Sequence, residues 1–318
     1  MATSKWTTDD MPDLQGYRAI VTGANSGLGL ETCMALAAKG AHVILACRNL
    51  DSMQQAEATI KAKVPQASLE VRQLDLASLA SINAFANKLL EEQHKLHLLF
   101  NNAGVMAIPR RETEDGFEMQ LGTNHLGHFA LTGLLLPLIL ATPGSRVVTT
   151  TSAARAYGRI RLDDLNRTLS YNRWDAYGQS KQANLLFTFE LQSRLAAGGA
   201  DTISVAAHPG YANTNLQSTS IQASGDAFER FFMGVLGSFI AQPAYMGALP
   251  QLYAGTSADI RGGELVAPGG FAGMRGYPTI DTHAQKEYDR SLALRLWDAS
   301  VAMTGVEFAA LRSLQPAE

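Results

Sequence analysis

The segment YRAIVTGANSGLG, residues 17–29, decides the fold class of this chain. It begins as a short apolar run and then spaces its glycines as G-x-x-x-G-x-G before a helical stretch. A strand, a glycine-rich turn and a helix in this order favour nucleotide binding, because small residues admit a phosphate and the helix N-terminus offers free N–H groups. Glycines at this spacing also occur in ordinary tight turns. The predicted phosphate-binding residues are Gly23, Asn25, Ser26, Gly27, Leu28 and Gly29.

Outward from this segment, short apolar runs alternate with longer helical stretches. Such runs suit strands that are buried on both faces of a parallel sheet. The alternation predicts an α/β fold, namely a single-domain Rossmann-type doubly wound parallel sheet with helices on both faces. The predicted strands are Tyr17–Thr22, His42–Cys47, Leu69–Leu74, His97–Asn101, Arg146–Thr151, Ile203–Ala207 and Glu264–Ala267, and the predicted helices are Leu28–Lys39, Ser52–Lys63, Leu79–Glu92, Met119–Thr132 and Ala176–Ala197.

No linker or break in composition divides the chain. We expect an N-terminal tail at residues 1–14 and a single dinucleotide-binding and catalytic domain at residues 15–318. Within that domain, residues 210–245 are predicted to form a mobile substrate lid that includes a helix. Residues 269–318 are predicted to be a C-terminal extension, with a terminal helix at Asp281–Met303.

The composition excludes several classes of protein. Of the 318 residues 46% are hydrophobic, and 26 Lys and Arg stand against 29 Asp and Glu, so a nucleic-acid partner is not expected. The two cysteines, Cys33 and Cys47, cannot form a disulfide framework, and no grouping of ligands has metal spacing, so we expect no metal. The polar N-terminus lacks the apolar core of a signal peptide, and no uncharged apolar run reaches the length of about 18 residues that spans a membrane. We therefore expect no membrane span and a cytoplasmic location.

The residues that follow the second, third and fourth predicted strands indicate the cofactor. NAD-selective folds place an acidic residue after the second strand, whereas this chain has Arg48, whose guanidinium suits a 2′-phosphate. We therefore predict NADP(H), with a solvated surface arginine as the alternative. Asp75 and Leu76 are candidate contacts to the adenine, although Asp75 is also suited to cap the helix beginning near Ser78. After the fourth strand, small residues leave room for a cofactor ring or ribose at Asn102, Ala103 and Gly104.

Tyr177 and Lys181 are the main candidates for chemistry. They are four residues apart in a predicted helix, so they share one face. A nearby ammonium lowers the pKa of a phenol and suits it to proton transfer near neutral pH, although a surface pair has the same spacing. Ser152 ends a predicted strand at the crevice where ligands bind in open α/β sheets. Asn124 is either a structural amide or the anchor of a water chain.

These motifs occur in the order typical of the short-chain dehydrogenase/reductase family, and the resemblance covers roughly residues 15–215. The segments TGANSGLG, ACRN, NNAGVM and NHLGHFALT, with the long separation of Ser152 from Tyr177, resemble its retinol-dehydrogenase-like and protochlorophyllide-reductase-like branch. The resemblance implies hydride transfer between nicotinamide and a carbonyl or alcohol carbon. It implies that Tyr177 and Lys181 also contact the cofactor, with Lys181 holding the nicotinamide ribose, and that Pro209, Gly210 and Thr214 contact the carboxamide end. The implied catalytic tetrad is Asn124, Ser152, Tyr177 and Lys181.

The predicted lid carries aromatic and aliphatic residues at helical spacing between positions 228 and 240. A lipophilic ketone, aldehyde or secondary alcohol would suit such a face. Core packing, a dimer contact or a membrane-surface contact are the alternatives. Tyr157, Tyr211 and His208 are candidates for the same pocket, with His208 interpreted as structural. The arginines between residues 155 and 173 are interpreted as a solvated face.

We therefore predict an NADP(H)-dependent oxidoreductase that acts on a small lipophilic molecule, with a homo-oligomer as a candidate assembly. Two other functions fit parts of the same pattern. One is a non-catalytic NADP(H)-sensing binding protein, although such proteins usually lose the tyrosine or the lysine that this chain keeps. The other is a reductase of an activated carbon–carbon double bond, which would need the same cofactor and the same tyrosine.

Overall fold

One sheet organises the part of the chain that the structure describes. The computed structural model describes residues 5–92, 95–211, 242–270 and 273–314. The strands are β1 (Arg18–Thr22), β2 (His42–Cys47), β3 (Ser68–Gln73), β4 (Leu98–Asn101), β5 (Arg146–Thr150), β6 (Ile203–Ala207), β7 (Leu265–Pro268) and β8 (Pro278–Ile280).

The strand order is β3-β2-β1-β4-β5-β6-β7-β8, and every pair is parallel except β7 with β8. The chain reverses its direction of travel across the sheet between β1 and β4. Ligands of open α/β sheets bind in the crevice outside the carboxyl ends of the strands at such a reversal. The predicted doubly wound sheet is confirmed.

Helices cover both faces of this sheet. They are α1 (Gly27–Ala38), α2 (Leu50–Lys63), α3 (Leu79–Glu92), α4 (Met119–Leu121), α5 (Gly127–Leu140), α6 (Arg173–Ala197), α7 (Ala244–Thr256), α8 (Arg290–Thr304) and α9 (Ala309–Arg312). A π-helical turn, Gly122–Leu126, joins α4 to α5. The helix α6 begins where it does because Asn172 caps it, its side-chain oxygen accepting from the N–H groups of Trp174 and Asp175 at 2.9 and 3.1 Å.

The continuous apolar runs of the central strands supply two separate cores. Side chains alternate between the faces of a strand, so Ala19 and Val21 of β1 pack against α1, α2 and α7, while Ile20 packs against α3, α5 and α6. The second core, which contains Ile20, extends into the C-terminal part of the chain. There the ring of Trp297 lies 5.0 Å from that of Phe129, measured between centroids.

The structure corrects several expectations outside the sheet. In the predicted N-terminal tail, Trp6 is buried and its ring meets that of Tyr253 edge to face at 5.1 Å. The predicted helix at residues 281–303 begins only at Arg290, because Asp289 caps it by accepting from the N–H of Leu292 at 3.0 Å. Neither α7 nor β8 is among the predicted elements. The predicted lid falls largely on residues 212–241, outside the described residues.

The stretch Met119–Leu140 is, among the described residues, the one helix that is long and apolar enough to cross a membrane by length and composition. Its most apolar window is 78% buried inside the protein. Its α5 part packs against α3 and supplies Phe129 and Leu135 to the second core. This burial explains its apolar composition as that of a core helix.

Candidate active site

The turn between β1 and α1 brings backbone within reach of a ligand. A Cβ at Gly29 would lie 2.2 Å from the carbonyl oxygen of Gly23 and 2.8 Å from the side-chain nitrogen of Asn102, so no larger residue fits there. Ser26 precedes α1, and among the described residues its side chain makes no capping hydrogen bond. The first N–H groups of α1 are thus available to an anion, and the helix dipole favours one. This cradle fits the pyrophosphate of a dinucleotide.

A cavity of about 320 Å³ opens at the carboxyl ends of β1, β4, β5 and β6. The predicted site residues that line it come from five separate parts of the chain. They are Leu28, Asn102, Gly104, Ser152, Tyr177, Lys181, Pro209 and Gly210. The predicted contact Thr214 lies outside the described residues. The remaining predicted residues sit in the turn itself, behind the cavity wall or at the ends of β2 and β3.

Three members of the predicted tetrad meet at this cavity. Tyr177 and Ser152 both line it, and Ser152 is close enough to the phenol to act on its pKa. One helical turn further along α6, Lys181 places its Nζ 5.9 Å from the centroid of the Tyr177 ring and donates to the carbonyl oxygen of Thr150 at 3.1 Å. The hydroxyl of Thr151 donates to the carbonyl oxygen of Lys181 at 2.7 Å. The end of β5 therefore fixes the helix that carries the tyrosine and the lysine.

Burial controls the protonation of both side chains. It raises the pKa of Tyr177 from 10.0 to about 12, although the nearby Ser152 acts in the opposite direction. It lowers the pKa of Lys181 from 10.5 to about 8. The predicted lowering of the phenol pKa is therefore not found as a net effect, because desolvation outweighs the attraction of the lysine charge for the phenolate. At neutral pH the phenol carries its proton and the lysine carries its charge.

Asn124 lies behind the cavity in the π-helical turn and is fully buried. Its Oδ1 accepts from the N–H of Val105 at 2.8 Å, and its Nδ2 donates to the carbonyl oxygen of Val105 and to the hydroxyl of Ser180, both at 2.9 Å. A Cβ on Gly104 would lie 3.0 Å from the Asn124 Oδ1 and 3.6 Å from the Lys181 Nζ. Of the two interpretations of Asn124, these contacts favour the structural amide, which holds the segment after β4 against α6.

His128 connects this turn to the phosphate-binding segment. Its Nδ1 donates to the carbonyl oxygen of Asn124 at 3.0 Å, and its Nε2 lies 2.9 Å from the hydroxyl of Thr22. Burial lowers the pKa of His128 to about 3, so the ring is neutral and Nε2 accepts from Thr22. The same threonine oxygen accepts from the N–H groups of Asn102 and Ala103, each at 2.9 Å. One polar network thus joins the ends of β1 and β4 to the helix behind the site.

Arg48 and Asp75 face each other at the ends of β2 and β3. The Nη1 of Arg48 lies 4.0 Å from the Oδ2 of Asp75, and the arginine side chain is 74% exposed. The other carboxylate oxygen of Asp75 accepts from the N–H of Ala77 at 2.9 Å. Asp75 does not cap α3, because the N–H of Leu79 is bound by Asp115 at 2.9 Å. Leu76, the other predicted adenine contact, is buried in the second core.

Asn102 and Gly210 act partly as scaffold. The Nδ2 of Asn102 donates to the carbonyl oxygen of Thr22 at 2.7 Å, which ties β4 to β1. Gly210 has a φ of +68°, and a Cβ there would lie 2.3 Å from the carbonyl oxygen of Met274. Only glycine suits that position, where the segment after β6 crosses the C-terminal extension.

The cavity wall includes residues that the sequence analysis missed. Met106, Trp174 and Met274 line it, together with the expected Tyr157 and Tyr211. Trp174 had a usable signal, since it lies three residues before the predicted catalytic tyrosine on the same helix face. Met106 and Met274 had none, because they reach the cavity from loops. These five side chains are aromatic or sulfur-containing, which suits an apolar ligand.

The arginines between residues 155 and 173 are not uniformly a solvated face. Arg155 is 8% exposed at its side chain and forms an ion pair with Asp281 at 3.0 Å. Arg167 is also buried and donates to the side-chain oxygen of Gln179 at 3.2 Å. Both hold the segment between β5 and α6 in place. That segment forms one wall of the cavity. The two arginines therefore affect the site indirectly, by fixing the position of this wall.

Comparison with known proteins agrees with this geometry. The family model described as short chain dehydrogenase matches residues 17–224. Human retinol dehydrogenase 13 is 40% identical over 301 residues, covering 94% of this chain and 88% of the relative. Human retinol dehydrogenase 11 is 39% identical over 293 residues, covering 92% and 87%. The crystal structure of an uncharacterized protein from Mycobacterium paratuberculosis is 40% identical, with a TM-score of 0.78, and covers 96% of this chain and 99% of its own.

The chain therefore belongs to the short chain dehydrogenase family, whose members are oxidoreductases that use a nicotinamide cofactor. Within the family it lies in the retinol-dehydrogenase-like branch, as the sequence motifs indicate. The predicted resemblance is confirmed.

Proposed function

We propose that this protein is an NADP(H)-dependent oxidoreductase that interconverts a lipophilic ketone or aldehyde and the corresponding alcohol. The observation that carries the proposal is the buried Tyr177 side chain, which shares the wall of one cavity with Ser152 and has Lys181 one helical turn away. A proton donor and a second hydroxyl at one point suit a substrate oxygen on which charge develops.

The residues divide the work in the reducing direction. The cofactor supplies the hydride to the carbonyl carbon. Ser152 and Tyr177 donate hydrogen bonds to the carbonyl oxygen, and Tyr177 then gives that oxygen its proton. The charged Lys181 stabilises the phenolate that remains until the phenol regains a proton from solvent. The carbon gains the hydride and the oxygen gains the phenolic proton, so the product is the neutral alcohol.

The preference for NADP(H) rests on Arg48. Its guanidinium is exposed at the end of β2, where NAD-selective folds carry a carboxylate, and a 2′-phosphate is a suitable partner for it. Asp75 stands 4.0 Å away and would repel a phosphate that approached without the arginine. Changing Arg48→Asp should lower the affinity for NADPH relative to NADH. The equally exposed Arg312, in an ion pair with Glu307 on the C-terminal extension, provides the control Arg312→Asp.

The proposal of a lipophilic substrate depends on the composition of the cavity wall. That wall includes Met106, Tyr157, Trp174 and Met274. The relatives named retinol dehydrogenase support a bulky apolar aldehyde or alcohol as the first substrate to test. We therefore expect retinaldehyde and hydrophobic ketones to be reduced faster than short polar carbonyl compounds.

The test combines turnover with cofactor binding. Loss of NADPH absorbance is followed with a panel of carbonyl compounds, using the wild type and Tyr177→Phe. The variant should lose turnover and keep NADPH affinity, because it loses only the hydroxyl. Tyr17→Phe, at a half-exposed ring outside the cavity, is the matched control. Undiminished turnover in Tyr177→Phe would refute the mechanism, and NADPH binding without turnover on any compound would support a cofactor-sensing protein instead.

A further inference from the structure

His208 follows β6 and lies in the wall of the cavity. The N–H of Gly210 donates to its Nδ1 at 3.0 Å. An N–H group needs a lone pair to donate to, so Nδ1 carries no proton. A neutral imidazole then has its single proton on Nε2. The backbone of Gly210 therefore selects one of the two tautomers.

The Nε2 side of the ring faces a part of the wall that has no side chain. A Cβ added to Gly273 would have the His208 Nε2 as its nearest atom, at 3.6 Å, and Gly273 lines the same cavity. Among the described residues none accepts a hydrogen bond from this nitrogen. The residue as a whole is 4% exposed, and both His208 and Gly273 line the cavity. An N–H group at the wall of a cavity can donate to an oxygen of a bound ligand, which gives this nitrogen an acceptor.

Two charged groups act on His208 from neighbouring elements, and they belong to the same ion pair. Arg155 follows β5, and Asp281 follows β8. Burial and the charge of Arg155 lower the pKa of His208, whereas the charge of Asp281 raises it. The net effect is a pKa lowered to about 4. The Oδ2 of Asp281 is bound by Arg155 at 3.0 Å, and its Oδ1 accepts from the N–H of His283 at 3.0 Å. His208 therefore stays neutral at neutral pH and serves as a hydrogen-bond donor.

We propose that His208 determines ligand specificity by donating its Nε2 hydrogen bond to an uncharged oxygen acceptor of the molecule bound in the cavity. The acceptor is either the carboxamide oxygen of the nicotinamide or an oxygen of the substrate other than the reacting one. The inference rests on the proposed function only for the substrate arm of its test. A site with a fixed donor discriminates against ligands that lack the matching acceptor, because the donor then stays unpaired.

The tautomer is tested first, in the full-length protein without ligand. Two-bond proton–nitrogen correlation spectra of protein labelled with ¹⁵N-histidine distinguish the tautomers, and the His208 signals are those lost in His208→Asn. We expect protonated Nε2 and unprotonated Nδ1 from about pH 6 to pH 8. A proton on Nδ1, or titration of this ring in that range, would overturn the proposal whether or not the protein is an enzyme.

Two variants then separate the two nitrogens of the ring. His208→Asn places an amide oxygen near the Nδ1 position, where it still accepts from Gly210, but has no donor at the Nε2 position. His208→Gln places an amide N–H near the Nε2 position and loses the acceptor for Gly210. We expect the Asn variant to lose about 5- to 10-fold in ligand affinity, the effect of one neutral hydrogen bond, and the Gln variant to recover most of it.

Two measurements identify the acceptor. The Kd of NADPH without substrate rises in His208→Asn if the carboxamide is the acceptor. If a substrate oxygen is the acceptor, NADPH binding is unchanged and KM rises only for carbonyl compounds with a second oxygen. Equal losses in both variants, or no loss in either measurement, would refute the proposal. Absence of turnover in the wild type would refute the proposed function. The tautomer seen in the spectra and the Kd of NADPH would still decide the role of His208.

Discussion

Replacing the buried lysine of the site by methionine, Lys181→Met, should stabilise the cofactor-free protein. Lys181 is 3% exposed, and its Nζ donates to a single described acceptor, the carbonyl oxygen of Thr150. That oxygen also accepts from the Nδ2 of Asn184 at 3.0 Å, so it keeps a partner in the variant. Methionine has a similar length and no charge, so it suits a buried position.

The pKa of Lys181 sets the magnitude of this effect. Its fall from 10.5 to about 8 corresponds to about 3 kcal/mol against the charged form in the folded protein. The lost hydrogen bond offsets about 1 kcal/mol, which leaves a net gain of about 2 kcal/mol, or about 3 °C in Tm for a chain of this length. Between pH 8 and pH 10.5 the unfolded chain binds more protons than the folded one. The advantage of the variant is therefore largest below pH 8 and disappears towards pH 10.5.

Urea unfolding of both proteins without cofactor measures the difference, at pH 7 and at several values up to about pH 10. The control is Lys88→Met, because Lys88 is 68% exposed and lies 3.9 Å from Glu92, so its removal should change stability by less than about 0.5 kcal/mol. If Lys181→Met were less stable than the wild type at pH 7, the lysine would be stabilised by its surroundings. The argument from desolvation would then fail.

Three further predictions follow from other contacts. The kcat for carbonyl reduction should fall above about pH 8, because Lys181 then loses the charge that stabilises the phenolate. Initial rates that stay constant up to about pH 10 would contradict this prediction. Trp297→Ala should cost about 3–5 kcal/mol in urea unfolding, because it removes a ring packed among three others, whereas Leu169→Ala, 82% exposed, should change little. Burial lowers the pKa values of His125 and His128 to about 4 and about 3, so below about pH 6.5 the unfolded chain binds more protons than the folded one. The urea midpoint of unfolding should therefore fall as the pH drops from about 6.5 to about 4. A constant midpoint over this range would exclude neutral buried rings.

The strands of the sheet were predictable because each central strand is buried on both faces. That burial makes a strand such as Arg18–Thr22 a continuous apolar run, and the next glycine-rich turn marks its end. The strand β8 was not predictable, since it has only three residues, begins with Pro278 and follows a glycine-rich stretch. The helix α7 contains Pro250 and several glycines and alanines, so neither a periodic apolar face nor a clear boundary marks it.

The site was predictable where a fixed spacing on one helix or a strand end brings residues together, as for Tyr177, Lys181 and Ser152. The partners of Asn124 were not, because Val105 and Ser180 meet it only through the packing of α6 against the segment after β4. The burial of Arg155 and Arg167 was also hidden, since their partners are Asp281, far along the chain, and the side-chain oxygen of Gln179 on α6.

The protonation of the site argues for one direction of the reaction at neutral pH. Reduction needs a phenol that still holds its proton and a cation to stabilise the phenolate that forms. Burial keeps Tyr177 protonated, and Lys181 retains its charge below about pH 8 although burial lowers its pKa. Oxidation of an alcohol needs the phenolate at the start, which the raised pKa of Tyr177 disfavours until the solution is alkaline. The burial that keeps Tyr177 protonated therefore prepares the free protein for carbonyl reduction.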